Sequence, residues 1–456
     1  MERTRIKEFT SGSISKQLFS FSIPLFLSGL LQILYSTVDM IVVGKVYGRE
    51  GTSAVAVGGD LVNLLTFVVI GFSNAGQVLI ARYIGAKERQ RLGRFVGTMS
   101  GFLLLCATGI SAISLLLRDQ ILDWLNTPAE SREGTVAYAT VCMLGLVFIY
   151  GYNVVGAILR GMGDSKHPFL FIALASVTNL LLDILFVAVF RMGVGGAALA
   201  TVISQGVSFL SCGIFLIRKR KEFELNFSWR DFVLWDRSML LGLIRLGIPM
   251  AIRSAAIQFS KLFVSSYINA YGVAVSAFAG IANKLASFAN LISISMTTAG
   301  STMIGQNLVA EKYDRVKKIM LRIAAVTLSV ATVFSVLICL FPRAVFGLFV
   351  EKGEESVLAL VNGYLPISIL LFFGSALRAP MNALVNGSGN HRINLATAIL
   401  DGIVFRIGFS LLFGLGLGLG YYGFWLGDAL AGLTPFCMGF LFYCSGAWRR
   451  SSKSKQ

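Results

Sequence analysis

The sequence predicts an all-α integral membrane protein: about twelve transmembrane helices in two homologous six-helix lobes, related by a pseudo-two-fold axis along the membrane normal. Three observations carry that prediction. The 456 residues are 55% hydrophobic and only 14% charged, whereas a soluble domain carries about 25% charged residues. The apolar residues form unbroken runs of bilayer-spanning length, not the alternation of a β-barrel. The chain also repeats itself at an offset of about 225 residues.

The repeat is visible in four places. Ile23-Pro24 recurs as Ile248-Pro249. ARYIGAKERQRLGRFV from Ala81 is echoed by GQNLVAEKYDRVKKIM from Gly305. Arg160-Gly161-Met162-Gly163 is echoed by Asn386-Gly387-Ser388-Gly389, and GVGGAALA from Gly193 by GYYGFWLG from Gly420. With about six spans per half, both halves point the same way through the bilayer.

Taken in order, hydropathy places the spans near 17–44, 54–84, 95–117, 136–159, 168–190 and 195–217, then 239–270, 276–308, 319–341, 357–385, 393–415 and 420–444. Residues 1–217 form the expected first lobe, 218–237 a linker, 238–446 the second lobe and 447–456 a basic tail. The linker, polar and aromatic, is expected to lie on the membrane surface. The net charge of +17 is not a nucleic-acid signal, because the basic residues sit in short loops. They concentrate on one side, in Lys87 to Arg94, Arg218 to Lys221 and Lys312 to Lys318. The positive-inside rule then puts both termini in the cytoplasm of a multi-pass plasma-membrane protein. The six cysteines lie in apolar segments without a CxxC pair and read as small packing residues. No nucleophile or metal constellation suggests an enzyme.

The polar residues inside the spans carry the chemistry. Asp39 lies near the far end of the first span, and a charge at that depth costs roughly 2.5–3.5 kcal/mol. Gln32 and Tyr35 precede it by seven and four residues, which puts all three on one helical face. In the fifth span Asn179 and Asp183 share a face, and in the sixth Thr201 lies about two turns from the outer end. Residue counting places Asp39, Asn179, Asp183 and Thr201 at one depth. Two carboxylates with an amide and a hydroxyl oxygen suit a hard monovalent cation. Two neighbouring acids also raise each other's proton affinity. A polar knot that only holds helices together is the other reading of the same four residues.

With these pieces in place, the chain resembles the multidrug and toxic compound extrusion (MATE) transporters over essentially its whole length. The resemblance rests on the two six-span halves, YSTVDMIVVG in the first span, ARYIGA with its basic tail, RGMGDSKHP before the fifth span and GVGGAALAT opening the sixth. It implies a secondary antiporter that exports small organic compounds by rocking two lobes, driven by inward H⁺ or Na⁺, with no other cofactor. It implies that Asp39, Asn179, Asp183 and Thr201 form the coupling site, with Na⁺ a possible occupant, as in the branch that keeps this site in its N-terminal lobe. It implies that Pro24 is a hinge of the first span, and that Tyr35, Tyr138 and Asn153 line a substrate cavity with Gln32. A monomer in the lipid bilayer is expected. A flippase of lipid-linked saccharide or lipid precursors is the alternative.

The second half departs from one branch of that family. Ile257-Gln258 occupies the seventh-span region where that branch carries an acid, and the tenth span has Arg378 and no acid. Val264, Phe405 and Phe409 fall near the counterparts of Asp39, Asn179 and Asp183, so the coupling site is not duplicated. Instead Arg253, Lys261, Lys284, Arg378, Arg406, Asp401 and Asp428 lie within apolar spans. Internal pairing, for example of Arg406 with Asp428, is one reading. A basic wall that favours anionic or zwitterionic substrates is the other, with Gln258, Lys261, Lys284 and Arg406 as its cavity candidates.

Overall fold

The computed structural model describes residues 4–125, 127–347 and 355–450; residues 451–456 of the expected tail lie outside the described residues. Ten helices among them are long and apolar enough to cross a membrane. The first, Ile14–Gly85, runs for 72 residues, far more than the ~20 a bilayer needs. It is two spans joined at Gly48, whose φ of 63° and ψ of −149° break the helix. Only glycine adopts that combination without strain. A further span, Ala129–Gly161, is bent by 50° at Gly145 and completes a set of twelve.

The chain divides into two compact units, and the division differs from the boundary at 217 in an informative way. One unit is Met1–Glu8 with Ile23–Gly247; the other is Phe9–Ser22 with Ile248–Gln456. The opening stretch of the first span therefore belongs to the second unit. The opening stretch of the seventh, Arg237–Asn269, belongs to the first. Both crossovers fall one residue before an Ile-Pro proline, Pro24 and Pro249.

In the first unit the third span (Leu92–Leu116) packs on the fourth, and the sixth (Gly193–Arg218) on the fourth and the fifth. In the second unit the ninth (Tyr313–Leu340) packs on the tenth (Val361–Ser388), the tenth on the twelfth, and the eleventh on the twelfth. The same pairs recur at equivalent positions, so the sequence repeat is a repeat of packing.

The linker is not a free surface piece. Gly93, Gly97 and Gly101 present a stripe of the third span to it: a Cβ on Gly93 would lie 2.2 Å from the Asn226 carbonyl oxygen, and one on Gly101 would lie 1.9 Å from that of Phe232. A small-residue stripe lets two backbones approach this closely. The linker keeps Trp229, Val233 and Leu234 exposed on its other side. Glu222 and Glu224 add ion pairs to Arg5 and Arg89, the latter at 2.6 Å. The next stretch of chain is tied to the second unit. Phe9 N donates to Gln306 Oε1 at 2.7 Å, and the Arg315 guanidinium donates to the carbonyls of Phe9, Ser11 and Gly12 at 3.0, 3.2 and 2.9 Å.

Candidate functional site

Four spans of the first unit deliver its polar residues to one buried place. Asp39 sits 4% exposed on the first span. On the fifth, Asn179 and Asp183 are 1% and 0% exposed, one turn apart. The α-helix ends at Asp183 and continues as a π-helical stretch, Ile184–Val189. Such wider turns re-aim side chains and are frequent at functional sites. Asp39 comes within hydrogen-bonding reach of Asp183 and of Thr201 on the sixth span. The Thr201 hydroxyl also bonds the Ala197 carbonyl at 3.0 Å and lies beside the Tyr138 hydroxyl of the fourth span. Tyr138 itself packs in an apolar cluster with Val43, Ala54, Val55, Val187, Val194 and Ala198.

The decisive feature is what the oxygens lack. Asp39 Oδ1, both Asp183 carboxylate oxygens and Asn179 Oδ1 accept no hydrogen bond, and Asn179 Nδ2 donates none; the contact between Asp39 and Asp183 becomes a hydrogen bond only when one of the two carries a proton. Buried carboxylates are ordinarily paired or hydrogen-bonded, and two acids this close cannot both stay ionised without a counter-charge. The donor set of two carboxylates, an amide oxygen and a hydroxyl matches what a proton or a small hard cation requires. Among the described residues no cluster of three or more His, Cys, Asp or Glu could hold a metal ion.

The remaining first-unit candidates scatter. Tyr35 is half-buried, interacts with Asp39 and bonds Gln205. Gln205 was not singled out in the sequence, although it lies one turn beyond Thr201 on the same face. Gln32 is exposed. Asn153 donates to the Ile149 carbonyl at 2.8 Å on its own helix. Tyr138 is 6% exposed, and its ring is packed where a Cβ on Gly58 would lie 2.3 Å away. Its hydroxyl meets that of Thr201, which joins it to the acid cluster. The helix runs on through Pro24. Asp60 of the second span, exposed and without an ion pair among the described residues, was also passed over.

The second unit holds its charges differently. Arg406 is 3% exposed. It bonds Asp401 at 2.8 Å through Nη2 and Asp428 through Nη1. It is therefore the centre of a buried ion triad and not a free wall residue, as the cost of an unpaired buried charge demands. Arg253 donates to Asn382 Oδ1 at 2.9 Å and Arg378 to Asn290 Oδ1 at 2.7 Å. Lys261 and Lys284 are exposed and form no ion pair among the described residues. Gln258 is half-buried.

Two six-span repeats with charged side chains inside the spans define a polytopic membrane protein. The MatE family model matches residues 24–185 and again 249–412, once per half. The chain belongs to that family, and it is a transporter rather than an enzyme. It is 30% identical over 442 residues to the probable multidrug resistance protein YpnP of Bacillus subtilis, covering 97% of each chain. It is also 30% identical to YoeA of the same organism, over 80% of each chain. Among solved structures, a MOP superfamily transporter from Pyrococcus furiosus superposes with a TM-score of 0.90 at 22% identity, covering 100% of both chains. An outward-facing multidrug resistance MATE transporter does so with a TM-score of 0.90 at 23% identity, again over 100% of both.

Proposed function

We propose that this protein is a secondary antiporter of the plasma membrane that exports small organic compounds, with both termini in the cytoplasm and a monomer as its working unit. Inward movement of H⁺ or Na⁺ through the Asp39–Asn179–Asp183–Thr201 cluster drives the export. The observation that carries this reading is the set of partnerless buried oxygens on Asp39, Asn179 and Asp183. A structural polar knot is expected to satisfy its own hydrogen bonds, and these carboxylate oxygens accept none from the chain. Relatives named for multidrug resistance support the export of drugs and toxic metabolites over the flippase alternative.

The cation supplies positive charge between the two acids when bound. The chain's own part is to bring Asp39 of the first span against Asp183 and Asn179 of the fifth. Loading removes the repulsion between the carboxylates and favours the state in which first and fifth spans are drawn together. Substrate favours the other state, and coupling requires only that each ligand prefer a different one.

The test is gradient-driven efflux from proteoliposomes, with pH and Na⁺ imposed separately. Asp39→Asn is isosteric and removes the charge. We expect it to fold with wild-type melting behaviour and to lose gradient-driven export. Export that persists at the wild-type rate in this variant would remove Asp39 from the coupling step.

A further inference from the structure

We propose that the membrane-embedded cluster of Arg253, Lys261 and Arg378 in the second unit is a binding site for an organic anion, one bearing a carboxylate, sulfonate or phosphate ester. This deepens the transport reading above and rests on it, because it names the substrate class that the transporter selects.

The argument begins with charge balance. Lys261 interacts electrostatically with Asp428, Arg406, Arg378 and Asp401, and Arg378 with Asp401, Arg406, Arg253 and Asp428. These six groups therefore form one neighbourhood of four cations and two anions. Both anions are committed to a single cation, Arg406. Among the described residues Arg253, Lys261 and Arg378 form no ion pair of their own, and the six groups together carry a net charge of two positives. It lies deep in the spans. Lys261 is about 12 Å and Arg253 about 24 Å along the helix from the Asn269 end, and Arg378 is about 25 Å from Val361. In a hydrocarbon layer about 30 Å thick, uncompensated charge at these depths marks a functional path by default.

The hydrogen bonds show how the site is built. Each guanidinium is gripped from the side by a neutral amide: Asn382 for Arg253, Asn290 for Arg378. Asn290 Oδ1 is held in turn by the Ser375 hydroxyl at 3.0 Å. An amide oxygen orients a guanidinium without neutralising it. The rest of the five-donor fork stays free for a planar or tetrahedral oxyanion. Lys261 adds an ammonium on the exposed surface of the unit. The arrangement repels organic cations and offers bidentate donors to anions.

The experiment uses the full-length protein and two dyes, carboxyfluorescein as the anion and ethidium as the cation. Binding is read by fluorescence anisotropy in neutral detergent, and gradient-driven flux in phosphatidylcholine liposomes, whose zwitterionic headgroups carry no net charge. The wild type is expected to bind and carry carboxyfluorescein. Lys261→Gln raises the Kd and KM for carboxyfluorescein about tenfold, whereas ethidium flux holds or rises because a repelling positive charge is gone. Arg378→Gln does the same more severely, and Arg378→Lys restores part of the loss. Gradient-driven ethidium flux with no carboxyfluorescein binding overturns this inference and leaves the transport reading intact. Carboxyfluorescein binding that responds to the variants, without flux of either dye under any gradient, keeps the site and overturns the transport reading. Equal loss for both dyes in Lys261→Gln assigns the cluster to structure and overturns the proposal.

Discussion

At the scale of single residues, the acid cluster was the part most open to reading from the sequence. Asn179 and Asp183 are four apart, a spacing that fixes one helical face whatever the tertiary structure. Depth counting from span ends then brings Asp39 and Thr201 to the same level. The neighbours that depend on helix rotation were not accessible in this way: Tyr138 and Gln205 join the cluster through contacts across helices. Arg406 is the instructive case. Its pairing with Asp428 was one of two readings and is present, and a second anchor that the sequence did not suggest is Asp401, five residues earlier. In an α-helix residues five apart point to different faces. Here the eleventh span is π-helical over Leu400–Phe405, and the wider turn brings them together. Arg406→Gln is therefore expected to strand Asp401, which is fully buried. Breaking a buried pair from one side costs about 3–5 kcal/mol. A drop in melting temperature of the purified variant, partly recovered by Asp401→Asn in the same chain, is the measurement that checks it.

At the scale of elements, hydropathy located every span because length and apolarity are local properties, and the structure moves most boundaries by only a few residues. Docking of the linker is not local. Its partner is the Gly93-Gly97-Gly101 stripe of the third span, over a hundred residues away in the chain, and nothing in the linker's own sequence announces it. The consequence is testable at that stripe. Gly101→Ala places a methyl where the Phe232 carbonyl now sits, so the linker must lift. Overpacking of this kind costs about 1–3 kcal/mol. Limited proteolysis is expected to cut the variant within residues 222–236 at a rate several times that of the wild type, with the spans themselves uncut. An unchanged cutting rate would mean that the stripe does not hold the linker.

At the scale of the whole molecule, the repeat was evident in the sequence, while the exchange of opening segments was not. Hydropathy sees a span as one object, yet Phe9–Ser22 and Arg237–Gly247 each pack with the other half's unit. The crossovers at Ser22/Ile23 and Gly247/Ile248 sit beside Pro24 and Pro249, where a helix-interior proline removes a backbone hydrogen bond and loosens the rod. If these two points flex during transport, then Pro24→Ala and Pro249→Ala should each slow turnover by about tenfold. Their melting temperatures should hold or rise, because a proline inside a helix costs ~3 kcal/mol. Initial rates of dye efflux beside thermal unfolding curves give both quantities. A variant that transports at full speed would clear its proline of any part in the motion.

The exchanged segments carry a consequence for ancestry. If the duplicated gene began as one six-span chain that worked as a pair of identical subunits, each subunit would have lent its leading segment to its mate, in the manner of domain swapping. Fusion of the two copies would then have preserved the loan inside a single polypeptide. Each half of the modern protein would owe its first helical turns to the other, and neither would be a self-sufficient descendant of the original.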